Sequence, residues 1–369
     1  MSSVTAIPFN DLGRGVSALR SELDAAFARV LDSGWFVLGG EGRAFEEEFA
    51  ALLGATHAVG VASGTDAIEL ALRALELGPG DEVVTQANTC VPTVSAIERA
   101  GATPVLCDVE PEAGTIDLDS LQGALGERTR AVIPVHLYGQ CADVDAVLEL
   151  CEPREIPVVE DCAQAVGAEL GGRRAGTIGA LGCFSFYPTK NLAALGDGGA
   201  VVTADDELAE RLRLVRQYGQ TDRYRHVTEG VNSRLDELQA AVLRTRLPYL
   251  PSGNERRAEI ALTYAEALGG GPVRPLALLP ERRHVFHLFV VEASDRKGLA
   301  AHLERYEIAT LVHYPTPVHG HPPYRRLGDG PVPLTVSEQL SEHILSLPLY
   351  PELREDEVDH VAAALRAFG

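Results

Sequence analysis

The sequence lacks the long apolar segments that membrane and secreted proteins carry. No run approaches the roughly 18–20 apolar residues that are needed to cross a bilayer. The N-terminal segment 1–15 has no basic leader followed by an apolar run, and Asp11 and Arg14 stand where a signal peptide needs apolar residues. We therefore expect a soluble, cytoplasmic protein with no membrane partner.

Basic residues are scarce relative to acidic ones. The 369 residues include 53 acidic and 32 basic side chains, which gives a formal net charge of −21. Nucleic acids and anionic membranes need a basic surface, so this charge argues against both as partners. A local cluster of arginines can still bind a small anionic ligand. The 46% hydrophobic and 23% charged residues indicate a folded globular protein.

Cysteine is present, but in no pattern that is typical of a metal site or of a disulfide framework. The chain has no CxxC pair among its six cysteines, which are Cys90, Cys107, Cys141, Cys151, Cys162 and Cys183. Most of them lie in apolar, strand-like segments. We therefore expect free, buried thiols.

The common nucleotide-binding motifs are also missing. No GxGxxG opens a helix after a strand, and there is no Walker A sequence. The glycine-rich stretch 196–199 comes before a strand, which is the wrong order for a dinucleotide-binding turn. The sequence therefore gives no support to a nicotinamide, flavin or ATP site.

Lysine is nearly absent. Two of the 32 basic residues are lysines, Lys190 and Lys297, which leaves thirty arginines. Arginine does not readily lose its proton to act as an amine nucleophile, whereas lysine does. Lys297 lies in a polar stretch, and chance is enough to explain a lysine at that position. Lys190 follows the strand-like run 181–187 among aromatic residues, where partial desolvation lowers the pKa of an amine. We therefore predict that Lys190 is a nucleophile.

Short apolar runs alternate with amphipathic segments between residues 57 and 219. This alternation predicts an α/β domain whose mostly parallel or mixed sheet is covered by helices. Amphipathic helices are expected ahead of it over 16–31 and 45–53, and a further helix over 235–250. A domain boundary is expected at Pro251–Asn254, separating a large domain (1–250) from a smaller C-terminal α/β domain (251–369).

Two polar motifs stand at predicted strand ends. The stretch 63–66 (SGTD) follows a strand and opens a helix, where backbone N–H groups can bind an anion, although Ser63 could equally be a plain helix cap. Glu160 and Asp161 end the apolar run 157–161, where ligands bind in open α/β sheets. These acids could hold a cationic group or cap the loop.

Together, three strand-end features suit one cofactor. Pyridoxal 5′-phosphate (PLP) needs a lysine for a Schiff base, an acid facing its ring nitrogen and an anion site for its phosphate. Lys190, Asp161 and the stretch 63–65 supply these three groups. The residues therefore predict a PLP site.

Specific motifs add a resemblance to a known family. They are SGTDA (63–67), PVHLYGQ (134–140), VEDCAQAVGA (159–168), FSFYPTKNLAALGDGGA (184–200), GVNSRLDELQAA (230–241) and HYPTPVHGHPPY (313–324). With these motifs the chain resembles the DegT/StrS family of PLP-dependent nucleotide-sugar aminotransferases over nearly its whole length. The resemblance implies a PLP fold-type I architecture, with a large mixed-sheet α/β domain and a smaller C-terminal α/β domain. It also implies a homodimer with shared active sites.

The resemblance assigns roles residue by residue. Lys190 matches the lysine that carries PLP, and Asp161 matches the acid paired with the ring nitrogen. Further cofactor contacts are implied for Gly64, Thr65, Gln164, Ser185 and Asn232, the last reaching the partner's phosphate site. Substrate contacts are implied for Trp35, Tyr187, Arg234, His313, Tyr314 and His321. Trp35 could instead be a core residue, and His321 could be a packing residue.

Two positions need separate comment. The family often has an aromatic residue that stacks on the cofactor ring where this chain has Cys90, so Cys90 is not expected to stack. His313, His319 and His321 could suggest a metal, but they lie on a proline-rich loop with no regular element to fix ligand geometry. We predict no metal site.

The expected reaction is transamination of a keto sugar carried on a nucleoside diphosphate, with an amino acid donor, glutamate by family habit. The motifs favour a 3-keto-6-deoxyhexose on dTDP, in antibiotic or other secondary-metabolite biosynthesis, and the close alternative is a 4-keto substrate. A dehydratase of the family usually has histidine in place of Lys190. A regulatory protein that had lost catalysis would be expected to lose Lys190 or Asp161, and both are present.

Overall fold

The structure is a computed structural model, and it describes residues 6–368. Its α-helices are α1 (Leu12–Ala18), α2 (Arg20–Ser33), α3 (Gly40–Leu53), α4 (Gly64–Ala74), α5 (Val91–Arg99), α6 (Leu118–Ala124), α7 (Val144–Cys151), α8 (Asp206–Val215), α9 (Glu237–Arg246), α10 (Leu250–Leu268), α11 (Arg296–Arg305), α12 (Thr335–His343) and α13 (Glu355–Arg366). Its strands are β1 (His57–Val61), β2 (Glu82–Gln86), β3 (Thr103–Cys107), β4 (Thr129–Ile133), β5 (Val159–Asp161), β6 (Glu169–Leu170), β7 (Arg173–Arg174), β8 (Leu181–Ser185), β9 (Gly199–Thr203), β10 (Gln220–Asp222), β11 (Arg225–His226), β12 (Val273–Pro275), β13 (Arg282–Arg283), β14 (Phe289–Ala293) and β15 (Ile344–Leu347).

A mixed sheet forms the centre of the larger part of the molecule. Four strands in the order β1-β9-β8-β5 adjoin three in the order β3-β2-β4, and parallel bridges from Val132 to Val158 and from Val135 to Asp161 join the two sets. The sheet order is therefore β1-β9-β8-β5-β4-β2-β3, with β9 antiparallel to both of its neighbours. This is the predicted mixed α/β sheet.

Helices cover both faces of this sheet, which explains why its strands are mostly apolar. Buried side chains of α4, α5 and α8 form one core with the sheet, and those of α3, α6, α7 and α9 form another. A strand that is buried on both faces is apolar along most of its length. The polar side chains that it does contain are hydrogen-bonded, as Thr85 is to the Ile133 carbonyl.

The C-terminal part has its own sheet and core. Strands β12, β14 and β15 form an antiparallel sheet, and helices α10, α11 and α13 pack beside it. Ile7 also enters this core, and its backbone pairs with Ile308. The N-terminal segment is thus attached to the C-terminal core, and the division of the chain after residue 250 stays a prediction.

Three predicted elements have different boundaries in the structure. The stretch Pro251–Asn254, where we expected a boundary, lies in the first turns of α10, because proline is compatible with the start of a helix. The helix expected over 235–250 ends at Arg246 and continues as a 3-10 turn over Leu247–Tyr249. The helix expected over 16–31 is two helices, α1 and α2, separated at Leu19.

The strand order brings four loops to one edge of the sheet. Strands β1, β2, β5 and β8 run in one direction, so their carboxyl ends meet at the same edge. The loops after them lead to α4, to α5, to Gln164 and to Lys190. In the described part of the chain, no helix is long and apolar enough to span a bilayer.

Candidate active site

Asp161 and Lys190 belong to two neighbouring parallel strands and the turns that follow them. Asp161 is the last residue of β5, and Lys190 lies in the turn after β8, where its amide donates to the Tyr187 carbonyl at 2.8 Å. Burial lowers the pKa of the Lys190 amine, while the nearby Cys90 and Asp161 oppose that shift. This setting makes the neutral, nucleophilic amine of Lys190 accessible.

The Asp161 carboxylate is 4% exposed and is held at both oxygens. Its Oδ1 accepts the Ala163 amide at 3.1 Å, and its Oδ2 accepts the Thr93 hydroxyl at 2.9 Å. Burial raises the pKa of Asp161, and these two donors and the Lys190 ammonium oppose the increase. Sequence reasoning missed Thr93; its place in the first turn of the helix after β2, at the same sheet edge, was the available signal.

The N-terminus of α4 lies directly against the end of β8. Ser63 caps the helix, since its Oγ accepts the Asp66 amide at 3.1 Å. A Cβ on Gly64 would lie 2.6 Å from the Ser185 Cβ, so only glycine allows this approach. The first-turn amides of α4 and the hydroxyls of Thr65 and Ser185 together form a cradle suited to a phosphate. Ser63 is thus a helix cap, and the binding of a phosphate beside it stays a prediction.

A hydrogen-bonded frame joins the loop after β5 to the C-terminal part. Gln164 Oε1 accepts the Tyr138 amide at 2.6 Å, and Gln164 Nε2 donates to the Tyr314 hydroxyl at 3.1 Å. The Tyr138 hydroxyl donates to the His313 carbonyl at 2.5 Å. His313 Nδ1 lies 2.9 Å from Ser346 Oγ on β15. This frame holds His313 and Tyr314 beside the strand ends.

Burial shifts the pKa values of the side chains that lie near Lys190. Burial, with a contribution from the Lys190 charge, lowers the pKa of His313 to about 4, so its imidazole is neutral near pH 7. Burial raises the pKa of the Cys90 thiol, which lies near Tyr314 and Lys190. Cys90 therefore stands at the site as a small neutral thiol in place of the family's aromatic residue.

The remaining predicted substrate residues vary in exposure. Trp35 is 62% exposed and Tyr187 is 52% exposed, which excludes the core alternative for Trp35. Asn232 is exposed and Arg234 is half-buried, just before α9. His321 lies on a separate turn, where its carbonyl accepts the Tyr324 amide at 2.9 Å. The roles of these residues stay predictions.

One buried cluster has the residue types of a metal site. Ligand atoms of His136, Glu160 and Cys162 lie within 4.8 Å of one another. His136 Nδ1 accepts the Ala142 amide at 3.0 Å, so its proton is on Nε2, which donates to Glu160 at 2.8 Å. The Glu160 carboxylate also accepts the amides of Gly176, Ile178 and Gly179. These hydrogen bonds occupy the Glu160 lone pairs and the His136 ring nitrogens that would otherwise bind a metal. We therefore assign the cluster a structural role, in which it holds β5 in place.

Comparison with known proteins agrees with this geometry. The sequence profile of the DegT/DnrJ/EryC1/StrS aminotransferase family matches residues 17–366. The chain belongs to this family. It is 48% identical over 363 residues to the dTDP-3-amino-3,4,6-trideoxy-alpha-D-glucose transaminase of Streptomyces venezuelae, covering 98% of this chain and 96% of that protein. It is 44% identical to the UDP-N-acetyl-3-dehydro-alpha-D-glucosamine 3-aminotransferase of Acidithiobacillus ferrooxidans, covering 99% of each chain.

A solved structure has nearly the same fold. The crystal structure of S. venezuelae DesV in complex with a ketimine intermediate superposes with a TM-score of 0.96 at 47% identity and covers 99% of each chain. The fold is therefore that of the PLP fold-type I aminotransferases. The protein is a PLP-dependent nucleotide-sugar aminotransferase. The alternative of a regulatory protein without catalysis is set aside.

The residues at these strand ends fit PLP. The α4 cradle suits its phosphate, the buried Asp161 carboxylate suits a protonated ring nitrogen, and the Lys190 amine suits its aldehyde carbon. When bound, PLP supplies an electron sink that makes a proton on the amino donor's α-carbon removable. The protein supplies the groups that hold the cofactor and move that proton.

Proposed function

We propose that this aminotransferase converts a dTDP-linked 3-keto-6-deoxyhexose to the 3-amino sugar, with glutamate as the donor. The observation that carries the proposal is the activity for which two relatives at 48% and 44% identity are named, since both names concern a 3-amino group. Their nucleotides differ, dTDP in one and UDP in the other, so the choice of carbon 3 has more support than the choice of nucleotide. The composition and the dTDP-sugar relative together suggest a secondary-metabolite pathway.

We propose the following roles for the central residues. Lys190 carries PLP and, once released, moves a proton from the α-carbon of the donor. Asp161 keeps the proton on the ring nitrogen. Gly64, Thr65 and Ser185 bind the phosphate, and Gln164, whose amide orientation is fixed by Tyr138, borders the ring hydroxyl.

We propose that exposed side chains and neutral polar side chains bind the nucleotide-sugar substrate. The neutral His313 imidazole and the Tyr314 hydroxyl offer hydrogen bonds without charge to the keto sugar. Tyr187 and Trp35 present exposed aromatic faces, and Arg234 offers a cation for the diphosphate. His321 is a further proposed substrate contact.

A substrate panel tests the proposal. Purified enzyme with PLP and glutamate is assayed with matched 3-keto and 4-keto dTDP-sugars and with a 3-keto UDP-sugar, with the amino products identified by NMR. We expect kcat/KM to be at least about tenfold higher for the 3-keto dTDP-sugar, because a site that pairs with the substrate's polar groups rejects an analogue that leaves them unpaired. Lys190→Ala is the inactive control. A higher kcat/KM for the 4-keto sugar would assign the enzyme to the other branch.

We further propose a homodimer in which Asn232 completes the phosphate site of the partner. Asn232 is exposed, while the adjacent Ser233 is buried and donates to Asp66 on α4 at 2.7 Å. The backbone at Asn232 is thereby fixed at the edge of the α4 cradle with its side chain free for another chain.

We also propose a cytoplasmic location. The five cysteines that are buried are free thiols, and Cys90 is also free, which supports this location.

Mixing two inactive variants tests the shared site. Lys190→Ala and Asn232→Asp, which places a charge that repels phosphate, should each be inactive as homodimers. A mixed dimer, verified by mass, holds one site with both lesions and one with neither, and should regain about half the activity. Mixing two differently tagged Lys190→Ala chains is the control and should restore nothing. A mixed dimer without activity would mean that Asn232 serves its own subunit.

A further inference from the structure

Two buried threonines form a hydrogen-bonded chain that ends on the Asp161 carboxylate. Thr93 Oγ1 lies 2.9 Å from Asp161 Oδ2, and Thr89 Oγ1 lies 2.9 Å from Thr93 Oγ1. Thr93 is 1% exposed and Thr89 is 3% exposed. Thr93 lies in the first turn of α5, and Thr89 lies in the loop just ahead of the N-cap residue Cys90. Neither threonine belongs to the motifs that identify the cofactor site.

The chemistry of the groups fixes the direction of this chain. An ionised carboxylate only accepts hydrogen bonds, so the Thr93 proton must point at Asp161. Thr93 has one hydroxyl proton, and it is committed to that bond. Thr89 must therefore be the donor in the second bond, and each donation strengthens the next. The chain runs from Thr89 to Thr93 to Asp161.

We infer that Thr93, supported by Thr89, is a positioning residue that keeps Asp161 ionised, so that the proton shared with the cofactor stays on the ring nitrogen. A donor to the carboxylate stabilises its charge and disfavours the neutral acid. Without that donor, the proton would shift toward Asp161 and leave the ring nitrogen neutral. The inference concerns residues of this chain and does not depend on which sugar is the substrate.

The other groups near Asp161 do not replace the Thr93 hydroxyl in keeping the carboxylate ionised. Lys190 provides the nearby positive charge, but its amine is used when it carries PLP. His136, which lies beyond the end of β4, bonds through its ring to the Ala142 amide and to Glu160, and Glu160 points to the opposite face of the sheet from Asp161. The surrounding thiols have pKa values raised by burial and stay neutral: Cys90, Cys162 and Cys183. Thr93 and the Ala163 amide are the direct donors to Asp161 in the described chain.

A purely structural role predicts different behaviour. If Thr93 only stabilised the first turn of α5, its replacement would lower stability and leave the ring nitrogen unchanged. Thr85 provides a matched control, because it is also a fully buried threonine of this sheet and donates to a backbone carbonyl, that of Ile133, at 2.8 Å. Thr85→Val removes a buried threonine bond that does not touch Asp161.

The test measures the ring nitrogen directly. Thr93→Val, Thr93→Ser, Thr89→Val and Thr85→Val are prepared as holoenzymes with PLP labelled with ¹⁵N at the ring. For Thr93→Val we expect the ¹⁵N shift to move toward that of neutral pyridine, the dissociation constant of PLP to rise about tenfold and kcat to fall about tenfold, in line with the loss of one charge-assisted hydrogen bond. Thr93→Ser keeps the hydroxyl and should stay within about twofold of the wild type.

The remaining variants decide between the two roles. Thr89→Val should move the ¹⁵N shift in the same direction by a smaller amount, with about a two- to threefold effect on kcat, since it weakens the chain without touching Asp161. Thr85→Val should leave the ¹⁵N shift unchanged. If Thr93→Val does not fold, Thr89→Val carries the test. A wild-type ¹⁵N shift in a folded Thr93→Val, or in Thr89→Val when that variant stands alone, overturns the inference.

Discussion

Lys190 and Lys297 are chemically identical side chains in contrasting surroundings. Lys190 lies in the turn after β8, where burial lowers the pKa of its amine and Asp161 and Cys90 are close by. Lys297 is exposed in the first turn of α11. The rarity of lysine pointed to both, and the strand-end position separated them. The chemistry therefore depends on the position of the residue, and the pair makes a matched test.

Replacing Lys190 should abolish both cofactor attachment and turnover. We expect Lys190→Ala to lose the visible absorbance of lysine-bound PLP after dialysis and to lower kcat by at least about a thousandfold, because the other lysine of residues 6–368, Lys297, is exposed on α11. Lys297→Ala should keep wild-type absorbance and rate. Spectra and initial rates of the dialysed proteins check both expectations. Wild-type turnover by Lys190→Ala would refute the assignment.

Reasoning from the sequence found the site residues at strand ends. It missed the residues that contact them from other segments of the chain. Lys190 and Asp161 could be predicted because each directly follows an apolar strand. Tyr138 and Thr93 could not, because nothing in their local sequence shows that they contact Gln164 and Asp161. A hydrogen bond between residues far apart in the chain leaves no local pattern.

At the scale of elements, the approach of α4 to β8 builds the cradle that we propose for the phosphate. The approach requires Gly64, since any side chain there would meet Ser185. The helix brings its free first-turn amides with it, and they gain a partner when an anion binds. The cradle is therefore a property of how the helix and the strand pack.

Adding a methyl group at Gly64 should damage the cradle. In Gly64→Ala the Cβ would lie 2.6 Å from the Ser185 Cβ, so α4 must move away. We expect the dissociation constant of PLP to rise at least about tenfold and the free energy of unfolding to fall by about 1–3 kcal/mol. Fluorescence titration with PLP and denaturant unfolding measure the two effects.

Gly78→Ala is the matched control for that substitution. A Cβ on Gly78 meets no atom within 4 Å, so the same chemical change should leave PLP affinity unchanged. Equal PLP affinity in Gly64→Ala and the wild type would show that the cradle does not hold the phosphate.

Element boundaries were less predictable than element types. Proline at 251 indicated a linker, yet Pro251 lies in the first turn of α10, where its missing N–H has no partner to lose. The alternation of apolar runs predicted the strands well because burial on both faces imposes a continuous apolar pattern. A helix that starts after a short turn has no comparable sequence pattern to mark its first residue.

At the scale of the whole molecule, the buried histidines link stability to pH. Burial lowers the pKa of His284, His287 and His313, the last to about 4. The unfolded chain takes up these protons as the pH falls below about 6.5, and the folded protein does not. Stability due to these groups is therefore complete above pH 6.5 and is lost as the pH falls below it.

His287→Gln should reduce this pH dependence. His287 is 7% exposed, and its Nδ1 lies 3.2 Å from Asn191 Oδ1. Between pH 6.5 and 5, we expect the slope of the unfolding free energy against pH to fall by up to about 1.4 kcal/mol per pH unit relative to the wild type. Denaturant unfolding at one protein concentration measures the slopes. Between pH 7.5 and 8.5 the two slopes should be parallel, and an unchanged slope below pH 6.5 would contradict the prediction.

The sequence by itself determined the mixed α/β sheet, the strand ends that carry Asp161 and Lys190, and the family, because each depends on local order along the chain. The tertiary structure alone decided the frame from Gln164 to Tyr314, which joins residues 150 positions apart, and the exposure of Trp35. It also decided that Thr93 donates to Asp161. These features depend on how separate elements pack, and packing distances are set by the whole fold rather than by any segment.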